Sequence, residues 1–431
     1  MSPTEIGIIG IIILLVLLLA GTPVGFTLFF IGFFGFAWVG GFSGAFGNLF
    51  IIPFNMMNNY NFAVIPLFLL MSEVVGQTGM GKETYDAARV WLGQFRGGLA
   101  MATIGACGLF AMVSGSSLAG TIVMGRVAYP EMKRAGYKPT LAGAVTAAGG
   151  TLGILIPPSM GFVVIGILAE LSIGKLFMAG ILPGISVIIF YWITIYIWSR
   201  IDPKLAPSLE KTKLKEKVVA VKFTWPVLLL FVLMMGGIYG GIFTATEAAG
   251  IGAFGAVVIA LVKKQLTGET FWQCLMDTSK TTAMLIIMML GAFMFNSFLA
   301  ITRIPFSMGE FMSALPVSKY ILLIIIIIFY LIVGMFLDIY AILILTIPIF
   351  YPVMKALNFD LIWYSVLMVR VVEVGFISPP FGINLFGLAG IIKEPLGTLY
   401  RGIIPFCVSD ILNIAFLLAF PIVSTWLPSL M

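Results

Sequence analysis

The stretch ILIPPSMG, residues 154–161, places two adjacent prolines inside a strongly apolar segment. Proline removes a backbone donor and clashes with the preceding turn, so Pro157 and Pro158 are expected to end a helix. In contact with lipid, such a break would leave polar backbone groups without partners. The stretch therefore predicts a broken helix whose free backbone groups face a cavity lined with partners.

Composition predicts that the break lies in a polytopic membrane protein. Of the 431 residues, 61% are hydrophobic and only 10% are charged, and the mean hydropathy is +1.13. A soluble protein of this length cannot hide so much apolar surface. Apolar runs such as 6–20, 223–238 and 321–336 recur along the chain, within windows long enough to cross a bilayer.

The residue types exclude several classes of enzyme and metal protein. The sequence has no histidine, which removes Ser-His and Cys-His nucleophile pairs and histidine-ligated zinc or haem. Its three cysteines lie far apart and predict neither a disulfide framework nor a metal cluster. The net charge of +6 is clustered in particular loops, which encodes membrane orientation and does not indicate nucleic-acid binding.

Three motifs recur at one fixed distance along the chain. FISPPFGI, residues 376–383, repeats the proline pair as Pro379 and Pro380, 222 residues after the first pair. The same shift carries YPEMK at 129–133 onto YPVMK, and GILP at 180–183 onto GIIP. One ungapped register for three motifs indicates an internal repeat.

The repeat divides the chain into two halves. We expect a first repeat over 1–199, a cytoplasmic linker over 200–222 and a second, inverted repeat over 223–431. The first contains scaffold helices over 1–76 (spans 6–22, 25–45 and 48–76), an interfacial arm helix at 81–95, a hairpin at 97–133, a broken helix at 138–169 and a helix at 179–199. The second contains scaffold helices over 223–302, with an interfacial segment at 266–280, a hairpin at 318–355, a broken helix at 361–392 and a helix at 402–427.

The charge distribution predicts the orientation of both halves. The basic linker is cytoplasmic by the positive-inside rule, and so are the basic residues that flank the first hairpin. The N-terminus carries no lysine or arginine and is expected outside. If each hairpin enters and leaves by one side, each half crosses the membrane five times, so the second half is upside down. This architecture is typical of secondary transporters.

The first candidate site joins the hairpin tip to the first broken helix. Orphan carbonyls at helix ends, together with the hydroxyls of Ser114, Ser116 and Ser117, can make a hard oxygen site for a small cation. Gly149, Gly150 and Gly153 would let the backbone approach there. Glycine and proline are also common in ordinary membrane helices, so one copy of the motif supports a cation site and an ordinary helix equally. The second copy of the motif favours the functional interpretation.

The second candidate site joins Gly334 and Asp338 to the segment 373–380. The repeat aligns Asp338 with the serine-rich tip, at Ser116. An aspartate in so apolar a run costs about 2.5–3.5 kcal/mol on insertion scales and normally faces protein, water or an ion. An alternative is that it snorkels from a helix end.

Four residues are candidate contacts for an anionic substrate: Ser159, Asn384, Arg126 and Arg370. Asn384 lies one turn past the second proline pair, although such an amide is more often helix–helix glue. Arg370 and Glu373 are three residues apart on one helical face, so a structural pair is the default interpretation. Either arginine can attract a carboxylate, and the sequence does not choose between them.

At this point the motifs resemble a known family. GSS at 115–117, AGAVTAAGGTLGILIPPS at 142–159 and SIGKLFMAGILPG at 172–184 resemble the large membrane subunit of tripartite ATP-independent periplasmic (TRAP) transporters. GMFLD at 334–338 and EVGFISPPFGINLF at 373–386 are similar to that family's second signature. The resemblance covers essentially the whole chain.

The resemblance implies a sodium-driven, elevator-type importer of an organic acid anion, such as a C4-dicarboxylate or sialic acid, in the bacterial inner membrane with the N-terminus periplasmic. It implies two partners, a small four-helix membrane subunit and a periplasmic substrate-binding protein, and no cofactor other than sodium ions. One sodium site would use Ser114, Ser116, Ser117, Gly149 and Gly150, and the other Gly334, Asp338, Gly375 and Ser378. The closest rival is a stand-alone sodium/anion symporter, while an enzyme or a channel fits less well.

Overall fold

The computed structural model describes residues 1–208, 212, 214–314 and 316–431, and every regular element in these ranges is helical. The helices of the first half are α1 (Pro3–Leu19), α2 (Val24–Asn58), α3 (Val64–Gln77), α4 (Met80–Leu92), α5 (Gly98–Ser114), α6 (Ser117–Arg134), α7 (Pro139–Leu155), α8 (Met160–Leu168) and α9 (Ile173–Ile201). Those of the second half are α10 (Leu214–Tyr239), α11 (Ala245–Val262), α12 (Gly268–Thr302), α13 (Ile304–Ala314), α14 (Lys319–Gly334), α15 (Ile339–Ala356), α16 (Leu361–Gly375), α17 (Ile383–Ile392), α18 (Leu396–Ala419) and α19 (Ile422–Ser429).

The protein is a multi-pass membrane protein, as its composition predicts. Nine helical segments of the described ranges are long and apolar enough to cross a bilayer. Large apolar side chains are exposed along their outer faces, for example Phe30, Phe34 and Trp38 of α2. The α7–α8 segment is the most enclosed of the nine, with 94% of its most apolar window buried. The broken helix therefore lies at the centre of the molecule.

The repeat is visible in the helix boundaries. α6 and α15 contain 18 residues each and are related by the shift of 222 residues. The same shift carries the first residue of α7, Pro139, onto the first residue of α16, Leu361. Each half therefore contains a hairpin (α5–α6 or α14–α15) followed by a broken helix (α7–α8 or α16–α17).

The two halves pack against each other with reciprocal contacts. α8 contacts α15, and α17 contacts α6 in the equivalent way. An exchange of this kind is what a twofold relation produces. α2, α3, the α7–α8 segment and α9, together with the shorter apolar helix α1, correspond to the five predicted crossings of the first half, an odd number that starts the second half from the opposite side. The fold is thus two inverted-topology repeats.

The scaffold helices differ from the predicted spans. α2 extends through the predicted boundary near residue 45 and bends at Gly41, whose φ of 83° lies in the left-handed region. The chain then breaks at a 3-10 turn, Tyr60–Ala63, before α3. In the second half the break falls between α11 and α12, at the position equivalent to Gly41. The two scaffolds are therefore related but interrupted at different places.

The predicted interfacial segment at 266–280 is wrong as a separate element. It forms the first part of α12, which continues for 35 residues because neither glycine nor proline occurs between Glu269 and Leu290. The repeat equivalent of the arm helix α4 is instead α13, which was not predicted.

Smaller corrections concern helix ends. The helix predicted at 179–199 begins at Ile173, and the one predicted at 402–427 is divided into α18 and α19 by Phe420 and Pro421. The predicted linker is helical from Leu214 onward. Its residues 209–211 and 213 lie outside the described residues.

Candidate functional site

The first junction is the place where the α5–α6 hairpin turns beside the break between α7 and α8. Gly115 makes the turn with a φ of 58°, where an L side chain is strained. A Cβ atom at this position would lie 3.0 Å from the carbonyl oxygen of Pro158 and 3.6 Å from the amide nitrogen of Met160. The hairpin tip and the helix break are therefore in direct backbone contact.

The three serines of the tip have different partners. The hydroxyl of Ser114 is buried without a hydrogen-bond partner among the described residues, while its carbonyl oxygen accepts a 2.5 Å bond from Ser72 of α3. Ser116 caps α6, since its Oγ accepts a hydrogen bond from a first-turn amide. The Oγ of Ser117 accepts a 2.7 Å bond from Nδ2 of Asn384. The tip is thereby joined to the broken helix of the other half.

Two of the three α7 glycines that the sequence singled out, Gly149, Gly150 and Gly153, face this tip. A Cβ atom at Gly150 would lie 3.0 Å from the carbonyl oxygen of Ser117, and one at Gly153 would lie 3.1 Å from its amide nitrogen. A Cβ atom at Gly149 would instead lie 2.6 Å from a cysteine sulfur of α5. Gly153, left out of the predicted cation site, therefore touches the tip. The equivalent of Gly153 in the second repeat is Gly375, which is a predicted site residue. The 222-residue shift could therefore have identified Gly153 from the sequence.

The second junction brings α14 and α16 together at their ends. A Cβ atom at Gly375 would lie 2.8 Å from the Cα atom of Gly334. Asp338 is exposed and caps α15, since its Oδ1 accepts hydrogen bonds of 2.9 and 3.2 Å from two first-turn amides. The hydroxyl of Ser378 donates a 2.7 Å bond to the carbonyl oxygen of Val374. Gly334 and Gly375 are thus in contact. Asp338 bonds within its own hairpin arm, and Ser378 bonds within its own helix end.

Both proline pairs lie at the helix breaks, but their surroundings differ. Pro157 and Pro158 are buried, whereas Pro379 and Pro380 are exposed. The peptide bond within each pair is cis. The first junction is therefore enclosed by protein, and the second opens onto the surface.

Three of the four predicted substrate contacts lie at a helix break or at the surface. Ser159 is buried and caps α8, its Oγ accepting a 3.5 Å bond from Phe162. Asn384 is also buried, and its Oδ1 has no partner among the described residues. Arg126 is exposed, about 13 Å along α6 from Ser117.

The fourth, Arg370, is enclosed by other side chains. Its guanidinium is fully buried, forms an ion pair with Asp410 and donates a 3.1 Å hydrogen bond to Oδ1 of Asn413. Glu373 lies 3.5 Å from its Nη1, so the predicted Arg370–Glu373 pair is present. Asp410 and Asn413 of α18 were not predicted, because the sequence contains no signal for a contact made 40 residues away. The bonding partners of Arg370 among the described residues therefore lie on α16 and α18, and none belongs to the first junction.

Oxygen atoms and backbone amides dominate both junctions. Among the described residues, no group of three or more His, Cys, Asp or Glu side chains is placed to hold a metal ion. Serine hydroxyls and unpaired carbonyl oxygens at helix ends suit a small monovalent cation. The N-termini of α8 and α17, which follow the two breaks, suit an anion.

Comparison with known proteins agrees with this geometry. Residues 11–423 match the family described as tripartite ATP-independent periplasmic transporter, DctM component. The C4-dicarboxylate TRAP transporter large permease protein DctM of Pseudomonas aeruginosa is 35% identical over 377 residues, with 87% of this chain and 86% of the relative covered. The sialic acid TRAP transporter large permease protein SiaM of Vibrio cholerae serotype O1 is 29% identical over 428 residues, with 96% of both chains covered.

A solved structure shares the fold. The crystal structure of the Alcanivorax borkumensis YdaH transporter matches with a TM-score of 0.66 and 16% identity, covering 88% of this chain and 89% of that one. At this identity the likeness concerns the fold alone. The family match covers nearly the whole chain, and the named relatives are transport permeases and not enzymes. This chain therefore belongs to the DctM family, the large permease subunits of TRAP transporters.

Proposed function

We propose that this chain is the membrane subunit of a sodium-coupled importer of an organic acid anion. The observation that supports this most directly is the backbone contact between each hairpin tip and a helix end at the neighbouring break. The first contact encloses the Ser114 hydroxyl, which has no partner among the described residues, together with helix-end backbone groups, and the second brings two helix ends together where they open onto the surface. Two such places in one core fit coupled transport better than passage through a fixed pore.

The two junctions are the proposed cation sites. The first comprises Ser114, Ser116, Ser117, Gly149 and Gly150, to which the geometry adds Gly153. The second comprises Gly334, Asp338, Gly375 and Ser378. The unpartnered hydroxyl of Ser114 supports the first site, since a buried polar atom without a partner costs roughly 1–3 kcal/mol. The free carboxylate oxygen of exposed Asp338 supports the second.

The anion is proposed to bind between the two tips. Relatives that carry C4-dicarboxylate and sialic acid in their names indicate a small organic acid. Asn384 is the best-placed contact, because it touches Ser117 and keeps a free carbonyl oxygen, and Ser159 lies at the opposite break. Arg370 is already bonded within the protein. Arg126, exposed midway along α6, is proposed to attract the anion on its path toward the cytoplasm.

Transport is proposed to occur by an elevator motion in which the hairpins, the broken helices, α9 and α18 move as a block against the scaffold. The proposed partners are a small four-helix membrane subunit and a periplasmic binding protein, and the word tripartite in the family's description supports an assembly of three components. The chain would lie in the bacterial inner membrane with its N-terminus in the periplasm. The basic residues that surround the first hairpin then face the cytoplasm.

Uptake by proteoliposomes tests this function. The chain is reconstituted with its small subunit and binding protein, and entry of radiolabelled succinate and sialic acid is measured under a sodium gradient or a proton gradient. We expect uptake of one of these acids only with the sodium gradient and all three proteins. Uptake driven by protons alone would exclude sodium coupling, and uptake by this chain alone would favour the stand-alone symporter.

The variant Asp338→Asn refines the same measurement. Asparagine caps a helix about as well as aspartate, so α15 keeps its first turn while the charge is removed. We expect the sodium concentration for half-maximal uptake to rise at least several-fold. Unchanged sodium stimulation would remove Asp338 from the cation site.

A further inference from the structure

The second helix break is held in place differently from the first. In the first repeat, Ser159 caps α8, since its Oγ accepts a hydrogen bond from the amide of Phe162. The 222-residue shift aligns Ser159 with Phe381, which has no hydroxyl. The residue that precedes α17, Gly382, forms no side-chain cap either. The start of α17 therefore lacks the local anchor that the start of α8 has.

Tyr400 of α18 supplies an anchor from another helix. Its hydroxyl lies 2.5 Å from the carbonyl oxygen of Pro380 and 3.0 Å from that of Phe381. Both residues lie outside any helix, at the exposed break, and no other group of the described residues donates a hydrogen bond to their carbonyl oxygens. The hydroxyl of Tyr400 thus holds two successive carbonyl groups that the break leaves without helical partners.

This donor occurs in one repeat and not in the other. The shift aligns Tyr400 with Met178, whose thioether cannot donate a hydrogen bond. At the first break the carbonyl oxygen of Pro158 lies instead against the hairpin tip, 3.0 Å from where a Cβ atom of Gly115 would be. The tyrosine is therefore found in the repeat whose break is exposed and has no side-chain cap.

The anchored segment leads directly to Asn384. The backbone amide of Asn384 donates a 3.1 Å hydrogen bond to the carbonyl oxygen of Phe376, which closes a loop over residues 376–384, here called the break loop. Tyr400 holds the middle of the break loop. At the end of the loop, the side chain of Asn384 reaches Ser117 of the first hairpin tip at 2.7 Å. A displacement of the break loop therefore moves the best-placed contact for the anion.

We propose that Tyr400 is a positioning residue for the anion site: its hydroxyl fixes the break loop so that Asn384 is held beside the first hairpin tip. Tyr400 acts through the backbone of the loop and not by contact with the anion. Without this bond, Asn384 is displaced in part of the population, and a protein whose binding-competent state is only partly populated binds with proportionally lower apparent affinity. This inference rests on the proposed anion site and adds a determinant of affinity outside it.

Uptake kinetics of Tyr400→Phe measure this effect, because phenylalanine keeps the ring and removes only the hydroxyl. The complete three-protein system is used at saturating sodium, with whichever of succinate and sialic acid the wild type takes up. We expect KM for that acid to rise about fivefold, the factor that one ordinary hydrogen bond contributes. Vmax per folded protein should be unchanged, because a saturating anion restores the competent state. A purely structural role would instead lower the melting temperature and Vmax and leave KM unchanged.

Tyr320→Phe is the matched control. Tyr320 lies in the first turn of α14, where it is 58% exposed, and its hydroxyl forms no hydrogen bond with a described residue. We expect KM and Vmax of this variant to equal those of wild type. An equal rise of KM in both variants would show that the effect does not come from the bond to the break loop.

Hydrogen–deuterium exchange in lipid nanodiscs gives a second readout that does not require transport. The amide of Asn384 is protected by its bond to Phe376 as long as the break loop stays closed. We expect exchange within the break loop to be about fivefold faster in Tyr400→Phe than in wild type, and unchanged in Tyr320→Phe.

The outcomes separate this inference from the proposed function. Wild type that takes up neither acid under a sodium gradient would overturn the proposed function and, with it, a role of Tyr400 in anion binding. Sodium-driven uptake by wild type together with an unchanged KM in Tyr400→Phe would overturn the inference alone. A break loop that exchanges no faster in Tyr400→Phe than in wild type would also overturn it.

Discussion

At the scale of single residues, equivalent positions in the two repeats perform the same local task with different side chains. Ser116 and Asp338 are aligned by the repeat, and each caps the second arm of its hairpin. Gly153 and Gly375 are likewise aligned, and each lies against a hairpin tip. Capping and close approach are therefore kept in both copies, while the charge differs.

Substituting Gly153 with alanine tests the close approach. The added Cβ would clash with the carbonyl group of Ser116, so the tip must shift, at a cost of about 1–3 kcal/mol. We expect a lower melting temperature and loss of most uptake. Gly390→Ala is the matched control: it lies in α17 with nothing within 4 Å of the new Cβ, and alanine there should stabilise by about 0.5–1 kcal/mol. Normal uptake by Gly153→Ala would show that the tip does not depend on this contact.

At the scale of elements, the first hairpin is joined to the second repeat at both of its ends. The tip is bonded through Ser117 and Asn384. The base is bonded through Glu394, in the loop between α17 and α18, which accepts 2.8 Å hydrogen bonds from Tyr129 and Lys133 of α6. Hydrogen bonds from Lys133 and then Tyr129 stabilise the ionised form and lower the pKa of Glu394 below its usual value of 4.5.

This shift predicts a pH-dependent contribution to stability. Because the pKa of Glu394 is lower in the folded protein, its carboxylate stabilises the fold above the unfolded-state pKa, and the contribution disappears as the pH falls through the folded-state pKa. Near pH 7 we expect Glu394→Gln to lower stability by about 1 kcal/mol, since Lys133 is partly exposed. The difference in melting temperature from wild type should vanish once the pH has fallen below the lowered folded-state pKa of Glu394. A difference that persists undiminished in acid would contradict this assignment.

The elements also show what the sequence can predict. Proline pairs, turn glycines and the 222-residue shift were sufficient to predict both hairpins and both broken helices, because these signals are local or repeated. The long α12 and the arm α13 were missed because amphipathic pattern alone does not tell whether one helix continues into the next. The contacts of Asn384 with Ser117 and of Arg370 with Asp410 join distant segments, and no local pattern specifies them.

At the scale of the whole molecule, the inverted repeats separate a scaffold from a core that contains both junctions. Within the described ranges, few hydrogen bonds join scaffold and core, and one of them runs from Ser72 of α3 to Ser114. Near the ends of α9 and α10, a Cβ atom at Gly174 would lie 3.1 Å from the side chain of Ile238. An elevator motion must break such contacts, whereas contacts within the core, including the 2.7 Å pair of Lys138 and Asp202, must persist.

Cross-linking tests this separation most directly. In a background without Cys107, Cys274 and Cys407, the pairs Gly174→Cys/Ile238→Cys and Lys138→Cys/Asp202→Cys are bridged with one short, reducible thiol linker, and sodium-driven uptake is measured before and after bridging. We predict that the scaffold–core bridge abolishes uptake until the linker is reduced, whereas the bridge within the core leaves most uptake intact. Undiminished uptake with the scaffold–core bridge in place would contradict a core that moves against its scaffold.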